Sequence, residues 1–293
     1  MLADAIGLLR CPVCGGALAV ADGAVRCDAG HSFDVARQGY VNLVPGSADT
    51  AAMIEARGEF LRAGHFARLT AALAEAAGGV AGVTTAGGVA GGALVDLGAG
   101  TGHHLAHVLD LHPGRVGIAV DASPAALRRA ARAHERMAAV GADVWKPLPL
   151  RDGVAALVLS VFAPRNAAEI ARILAPGGAF VAVTPTSRHL YELVGPLGLL
   201  SVPGDKEDRL DAQLAGRLEL VSRHALEYAM FLSRDEAAQL VRMGPSTWHV
   251  DEQAVAGAID RLPDPLTVTA SVTLSRYRRA LDARGLRTQG CRA

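Results

Sequence analysis

ALVDLGAGTGHHLAHVL, residues 93 to 109, decides the fold. An apolar run of strand length ends in Asp96 and enters a glycine-rich turn, and a helical pattern begins at about His103, so the stretch is a strand, loop and helix unit. Gly98, Gly100 and Gly102 permit positive φ and a close backbone approach to a ligand. About twenty residues on, RVGIAVDAS ends a second apolar strand with Asp121, a carboxylate placed to bind two ribose hydroxyls. Further apolar runs place parallel strands at 93–97, 116–121, 154–160 and 179–184, with helices between them. RLELVSRHALEYAMFLS and LTVTASVTLSRYRR complete this doubly wound sheet with one antiparallel strand, and DEAAQLVRMGPSTWH inserts a helix between them. Upstream, residues 50–77 read as helical, and GGVAGVTTAGGVAGG, residues 78–92, as a low-complexity linker.

At 293 residues there is room for one substantial domain and a small appendage. The 29 basic and 29 acidic residues cancel, so no global field announces a nucleic-acid partner. Lysine occurs only at Lys146 and Lys206, which leaves phosphate contacts to arginine. No apolar stretch is long enough to span a membrane, and MLADAIGLLR lacks the basic start of a secretory signal. The expected location is cytoplasmic.

CPVCGGALAVADGAVRCDAGHSF, residues 11 to 33, holds three of the four cysteines and a histidine. Cys11 and Cys14 form one knuckle; Cys27 and His31 form a second after a gap of twelve residues. Two close pairs of soft ligands match a closed, structural tetrahedral zinc site, which does no chemistry itself. The gap alternates around Asp22-Gly23 and reads as a hairpin. A module this small draws its folding free energy from the metal. Cys291 is a bystander near the C-terminus.

Glycine-rich loops also serve dinucleotides, but this one lacks the helix-spaced third glycine of G-x-G-x-x-G. It reads D-x-G-x-G-x-G and resembles the cofactor loop of S-adenosylmethionine-dependent methyltransferases. ADVWKPLPLRDGVAALVLSVFAP and EIARILAPGGAFVAVTP follow in the order of their later motifs. The resemblance implies a Rossmann-like class I methyltransferase fold. It implies cofactor contacts from Asp96, the loop Gly98, Ala99, Gly100, Thr101 and Gly102, from Asp121 and Ala122, and from Asp143 and Val144 at the adenine edge.

HSFDVARQGYVNLVP, MIEARGEFLRAGHF, VFAPRN and MGPSTWH make the resemblance closer. Together with the zinc knuckles they resemble the 23S rRNA (guanine-N1)-methyltransferases, which pair an N-terminal zinc domain with a methyltransferase fold. The resemblance spans residues 11 to about 249. It implies a zinc-binding RNA-recognition module at 1–45, a helical connector and flexible linker at 46–92, and a methyltransferase domain at 93–293. The implied partner is a hairpin loop of 23S rRNA near the peptide exit tunnel, and a homodimer is compatible with it. The composition leans toward the macrolide-resistance branch of tylosin and mycinamicin type, acting at guanine(748). The housekeeping guanine(745) type is the alternative, and a small-molecule methyltransferase lacking any need for zinc is the rival class.

Guanine N1 carries a hydrogen, so the site must position the base and let that proton leave. Phe162 offers a stacking face, and Ala163 and Pro164 a rigid wall, for the target base. His189 and His65 are the candidate bases by pKa, and no general base is assigned. Arg26, Arg37, Arg57 and Arg62 are candidate phosphate contacts. RYRRALDARGLR, residues 276–287, reads as a tail helix with one basic face, and Met243 and Trp248 as walls of the cleft.

Overall fold

The computed structural model describes residues 1–46, 49–79, 92–199, 201–244 and 252–280. The chain opens with a short helical turn, α1 (Leu2–Ala5), and a three-stranded antiparallel sheet of β1 (Leu18–Ala21), β2 (Ala24–Cys27) and β3 (Ser32–Asp34). The β1–β2 hairpin turns at Asp22 and Gly23, both at positive φ (50° and 74°), the mirror-image turn that suits the twist of two antiparallel strands. The next strand, β4 (Val41–Val44), leaves this small sheet and pairs in parallel with the edge of the large one. Two helices follow, α2 (Ala51–Arg62) and α3 (Ala67–Ala76); the Thr50 hydroxyl caps α2 by accepting from the Met53 amide at 3.2 Å.

Among the described residues, the large sheet has eight strands. It is entered through β5 (Ala93–Leu97), α4 (His103–Asp110), β6 (Gly117–Asp121), α5 (Pro124–Ala130) and β7 (Met137–Ala142). It continues with β8 (Ala155–Val161), α6 (Ala167–Ile173) and β9 (Leu174–Pro185). Two helices, α7 (Tyr191–Leu197) and α8 (Lys206–Leu214), lead to β10 (Leu218–Leu232); α9 (Arg234–Arg242) and α10 (Glu252–Ile259) then precede β11 (Leu266–Arg279). The strand order is β10-β11-β9-β8-β5-β6-β7-β4. Only β11 runs against its neighbours. The fold is that of a class I methyltransferase with a small N-terminal β module.

Strands β5 to β8 are buried almost throughout, as central strands covered on both faces must be. One face packs Phe60, Leu73, Leu105, Leu127 and Leu240 into a single core. The other packs Ile170, Ile173 and Leu210 together with Leu8, Leu9 and Val25 from the N-terminal region. The first 45 residues are thus seated on the large sheet, and their last strand is part of it.

Three features depart from the sequence reading. Strands β4 and β7 were not among those expected. β7, MAAVGA, is too rich in Ala and Gly to show as a strand, and its Gly141 exists for packing. A Cβ there would lie 2.8 Å from the Asn42 Cα, so β4 can approach only a glycine. The basic run at 276 begins as strand, with Arg276–Arg279 in β11 and Arg276 donating to the carbonyls of Ala76 (2.8 Å) and Gly78 (2.6 Å). The rest of that run, most of the 78–92 linker, Trp248 and Cys291 lie outside the described residues. Among the described residues, no helix is long and apolar enough to cross a membrane.

Candidate active site and metal centre

A cavity of about 830 Å³ opens at the carboxyl ends of β5, β6 and β8. This is where an open parallel sheet leaves a crevice for its ligands. The loop after β5 holds Gly98, Gly100 and Gly102 at φ of 74°, 55° and 77°. A Cβ at Gly98 would lie 2.5 Å from the Ala163 Cβ, so only a glycine lets the loop pass under the VFAPRN segment. Gly102 serves packing instead, since a Cβ there would lie 2.9 Å from the Met137 sulfur. Gly102 and Thr101 do not line the cavity.

Asp96, Gly98, Ala99, Gly100, Asp121, Ala122, Asp143 and Val144 do line it. Asp121 ends β6 and accepts from the Gly100 amide (2.8 Å) and the Ser123 amide (2.8 Å), which ties the two loops together. Burial outweighs these bonds and raises its pKa. Asp96 is 2% exposed, its Oδ1 has no hydrogen-bond partner, and burial, followed by the charge of Asp121, pushes it up to about 7. A buried acceptor without a donor is costly alone, and a cationic or hydroxylic ligand beside it removes that cost. Asp143 accepts from the Trp145 amide at 3.0 Å, and its own amide donates to the Val44 carbonyl at 3.0 Å, so β4 helps to set this wall.

The opposite wall comes from β8 and the segment after it. Phe162 is a non-glycine residue at φ 53° and is 40% exposed, a strained placement that holds its ring in the cavity. Its ring centroid lies 5.4 Å from that of His189 and 6.1 Å from that of Phe66. Ala163, Pro164 and Arg165 continue the wall, and Trp145, 62% exposed, stands at the rim. His65 does not line the cavity: its Nε2 pairs with Glu236 Oε1 at 2.8 Å, and its ring packs on Phe60 at 5.0 Å. His189 does line it, with Nδ1 accepting from the Ser271 amide at 3.2 Å.

Four basic cavity residues carried no site assignment from the sequence, or a different one. Arg57, expected at a phosphate, projects from α2 beside Gly100 and pairs with Asp49 at 2.6 Å. His104 follows the glycine loop, and its Nδ1 lies 3.0 Å from the Thr70 hydroxyl. Arg165 adjoins Pro164 in a segment already singled out, whereas Lys206 starts α8, and nothing local to its sequence points inward. Arg26, Arg37 and Arg62 are exposed.

The metal centre lies in the small module. Cys11, Cys14, Cys27 and His31 each offer one ligand atom, and these atoms all lie within 4.8 Å of one another. The separations are 3.7 Å for Cys14 Sγ to Cys27 Sγ, 3.3 Å for Cys27 Sγ to His31 Nδ1 and 3.7 Å for Cys11 Sγ to His31 Nδ1. Zinc bonds of about 2.3 Å to sulfur and about 2.0 Å to nitrogen put tetrahedral neighbours about 3.5–3.8 Å apart, so the cluster fits the ion. All four ligands belong to the chain, which leaves such a zinc no open position.

Two family models match the chain. One, described as "RlmA, N-terminal" and named a zinc ribbon, covers residues 9–49; the other, "Methyltransferase domain", covers residues 94–178. A Streptomyces fradiae protein named 23S rRNA (guanine(748)-N(1))-methyltransferase is 49% identical over 279 residues, 94% of this chain and 98% of that protein. The chain belongs to the 23S rRNA (guanine-N1)-methyltransferase family. A Micromonospora griseorubida protein whose name gives the same reaction without a position is also 49% identical, over 290 residues, 94% of this chain and 98% of that protein. The solved structure of a geranyl diphosphate methyltransferase in complex with SAM has a TM-score of 0.46 at 16% identity, covering 80% of this chain and 93% of that one. In this family the methyltransferase domain takes S-adenosylmethionine, and the ribbon takes zinc.

Proposed function

We propose that this protein transfers a methyl group from S-adenosylmethionine to N1 of guanosine 748 in a hairpin loop of 23S rRNA, protecting its host from a macrolide. The observation that carries this reading is 49% identity over 94% of the chain to the S. fradiae protein named for that nucleotide. The bound cofactor supplies an electrophilic methyl group. Gly98, Ala99 and Gly100 cradle its methionine part, and Asp96 faces the ammonium group. Asp121 accepts from the ribose hydroxyls, and Asp143 with Val144 meets the adenine edge. Phe162 stacks on the target base while Ala163 and Pro164 confine it, and a loop nucleotide reaches them because it is already unstacked or is easily turned out.

The zinc-bearing module at 1–45 docks the RNA, with exposed Arg26 and Arg37 available to phosphates. Residues 46–92 connect it to the methyltransferase domain at 93–293. Primer extension on 23S rRNA from a susceptible host with and without the gene tests the proposal. A stop at nucleotide 748, with a raised tolerance of the cognate macrolide, is expected. A stop at 745 would make the protein the housekeeping type, and no new stop would return it to small-molecule chemistry.

A further inference from the structure

The reaction needs more than a seat for the base. The lone pair of guanine N1 becomes available only when its proton leaves, and the negative charge then spreads over N1 and O6. Either a base takes that proton, or positive groups at O6 ease its loss. The two histidines of the cavity are poor bases. His104 is pushed down to about 3 by burial and by His103 and His107, and His189 to about 4 by burial and then by the charge of Lys206. The Nδ1 lone pair of His189 already accepts from the Ser271 amide, which puts the proton of its neutral ring on Nε2.

The cavity carries three cations instead: Arg57, which is committed to Asp49 at 2.6 Å, and Arg165 and Lys206, which are not so paired. Arg165 directly follows the Phe162-Ala163-Pro164 wall. Its Nε is sealed from solvent without a hydrogen-bond partner, and its Nη2 makes only a long 3.5 Å contact to the Val183 carbonyl. Lys206, at the start of α8, has no hydrogen bond or ion pair among the described residues. Two carboxylates of that helix are committed elsewhere: Glu207 and Asp211 lie 3.5 Å and 2.7 Å from Arg223, and Glu207 also accepts from the Thr273 hydroxyl at 2.6 Å, while Asp208 is exposed. Burial lowers the pKa of these two cations, and Arg165 lowers that of Lys206 further, the mark of positive groups held together without an anion. A site built this way is complete only when its ligand brings negative charge.

We propose that Arg165 and Lys206, with the Nε2–H of His189, form a donor pocket for O6 of the target guanine and hold the charge that gathers there as the N1 proton leaves. The step balances. The N1 proton passes to solvent water, the freed pair on N1 forms the N–CH3 bond, the S–CH3 pair stays on sulfur, and the methylated guanine is neutral again. The placement favours the base over a phosphate, because the guanidinium is contiguous with the stacking wall. This inference rests on guanine N1 being the atom methylated.

The test is single-turnover methylation of 23S rRNA, with saturating S-adenosylmethionine and enzyme, for Lys206→Met, Lys206→Arg and Arg165→Gln. For Lys206→Met and Arg165→Gln the rate should fall about 10- to 100-fold while the dissociation constants for RNA and S-adenosylmethionine stay within about threefold. Lys206→Arg, which keeps the charge, should recover most of the rate. A loss confined to RNA affinity would make the pair a phosphate clamp, a loss confined to S-adenosylmethionine affinity would make it a cofactor contact, and no loss would remove it from the site. Each of these overturns the proposal. Should Arg165→Gln fail to fold, the two Lys206 variants decide alone. The parent enzyme is the control: if it yields no 1-methylguanosine, the N1 reading itself fails, and that is separable from any variant's result.

Discussion

The two ends of the cavity carry opposite charge and are built differently. At the cofactor end, Asp96 and Asp121 sit on adjacent strand ends and their loops are tied by the Asp121–Gly100 bond. At the other end, Arg165 and Lys206 stand beside an aromatic wall drawn from Phe66, Phe162 and His189. The core of one end, from Asp96 to Asp121, is assembled within some thirty residues of chain, and the other end from segments scattered between residues 66 and 206. The contrast teaches where each task of the reaction resides. The carboxylates suit a ligand rich in donors and positive charge, and the cations suit a base about to become an anion.

The sharpest way to break this division is at Gly98, whose missing side chain faces the opposite wall. Gly98→Ala would force a Cβ to 2.5 Å from Ala163 and place alanine at φ 74°, so it should disable both ends, with activity down more than about 100-fold. Activity together with calorimetry of S-adenosylmethionine binding checks this, and an intact Gly98→Ala enzyme would mean the walls do not meet there.

Asp96 comes next. Its folded pKa, about 7, lies above its ordinary value of 3.8, so the folded state holds the proton more tightly and the cofactor-free protein loses stability as pH rises through that interval. Asp96→Asn removes this loss. The substitution should raise the stability of the free protein by on the order of a few kcal/mol at pH 8, little at pH 4, while weakening cofactor binding. Thermal melts across pH read it. At Asp121 the expected effect is smaller and confined to one end: Asp121→Ala should weaken S-adenosylmethionine binding by roughly 1.5–3 kcal/mol and leave RNA affinity unchanged.

At the other end, Phe162→Leu should cost roughly 1 kcal/mol or a little more in RNA binding and turnover, the worth of one stacked base, with cofactor affinity unchanged. The smallest effect on the cofactor is expected from metal removal. No metal ligand lines the cavity, and the zinc-bearing module reaches it only through β4 behind Asp143, so chelation should change S-adenosylmethionine affinity by no more than about threefold while lowering RNA affinity and the melting temperature.

What the sequence made legible follows the same contrast. The metal ligands and the β5 and β6 termini are local patterns, in which spacing alone fixes which atoms meet. Phe162, Ala163 and Pro164 could be singled out because they follow a strand end. Lys206 could not, since a lysine opening a helix with Glu207 and Asp208 behind it reads as a solvated end cap until the chain folds it over the cavity. Arg57 was visible as a basic residue but not as a neighbour of Gly100, because that contact spans two elements. β4 and β7 were missed together: an Ala- and Gly-rich strand carries little β signal, and its reason to be a strand is the Asn42 backbone packed against Gly141.

The central claim, a methyl donor at the carboxylate end facing a guanine N1 at the cationic end, is tested most directly by the chemistry of the product. Purified enzyme, S-adenosylmethionine with a labelled methyl group and protein-free 23S rRNA should yield, after digestion and mass spectrometry of the nucleosides, 1-methylguanosine as the sole labelled product, one per rRNA molecule. Label on guanine N2, on a ribose or on another base would contradict the account.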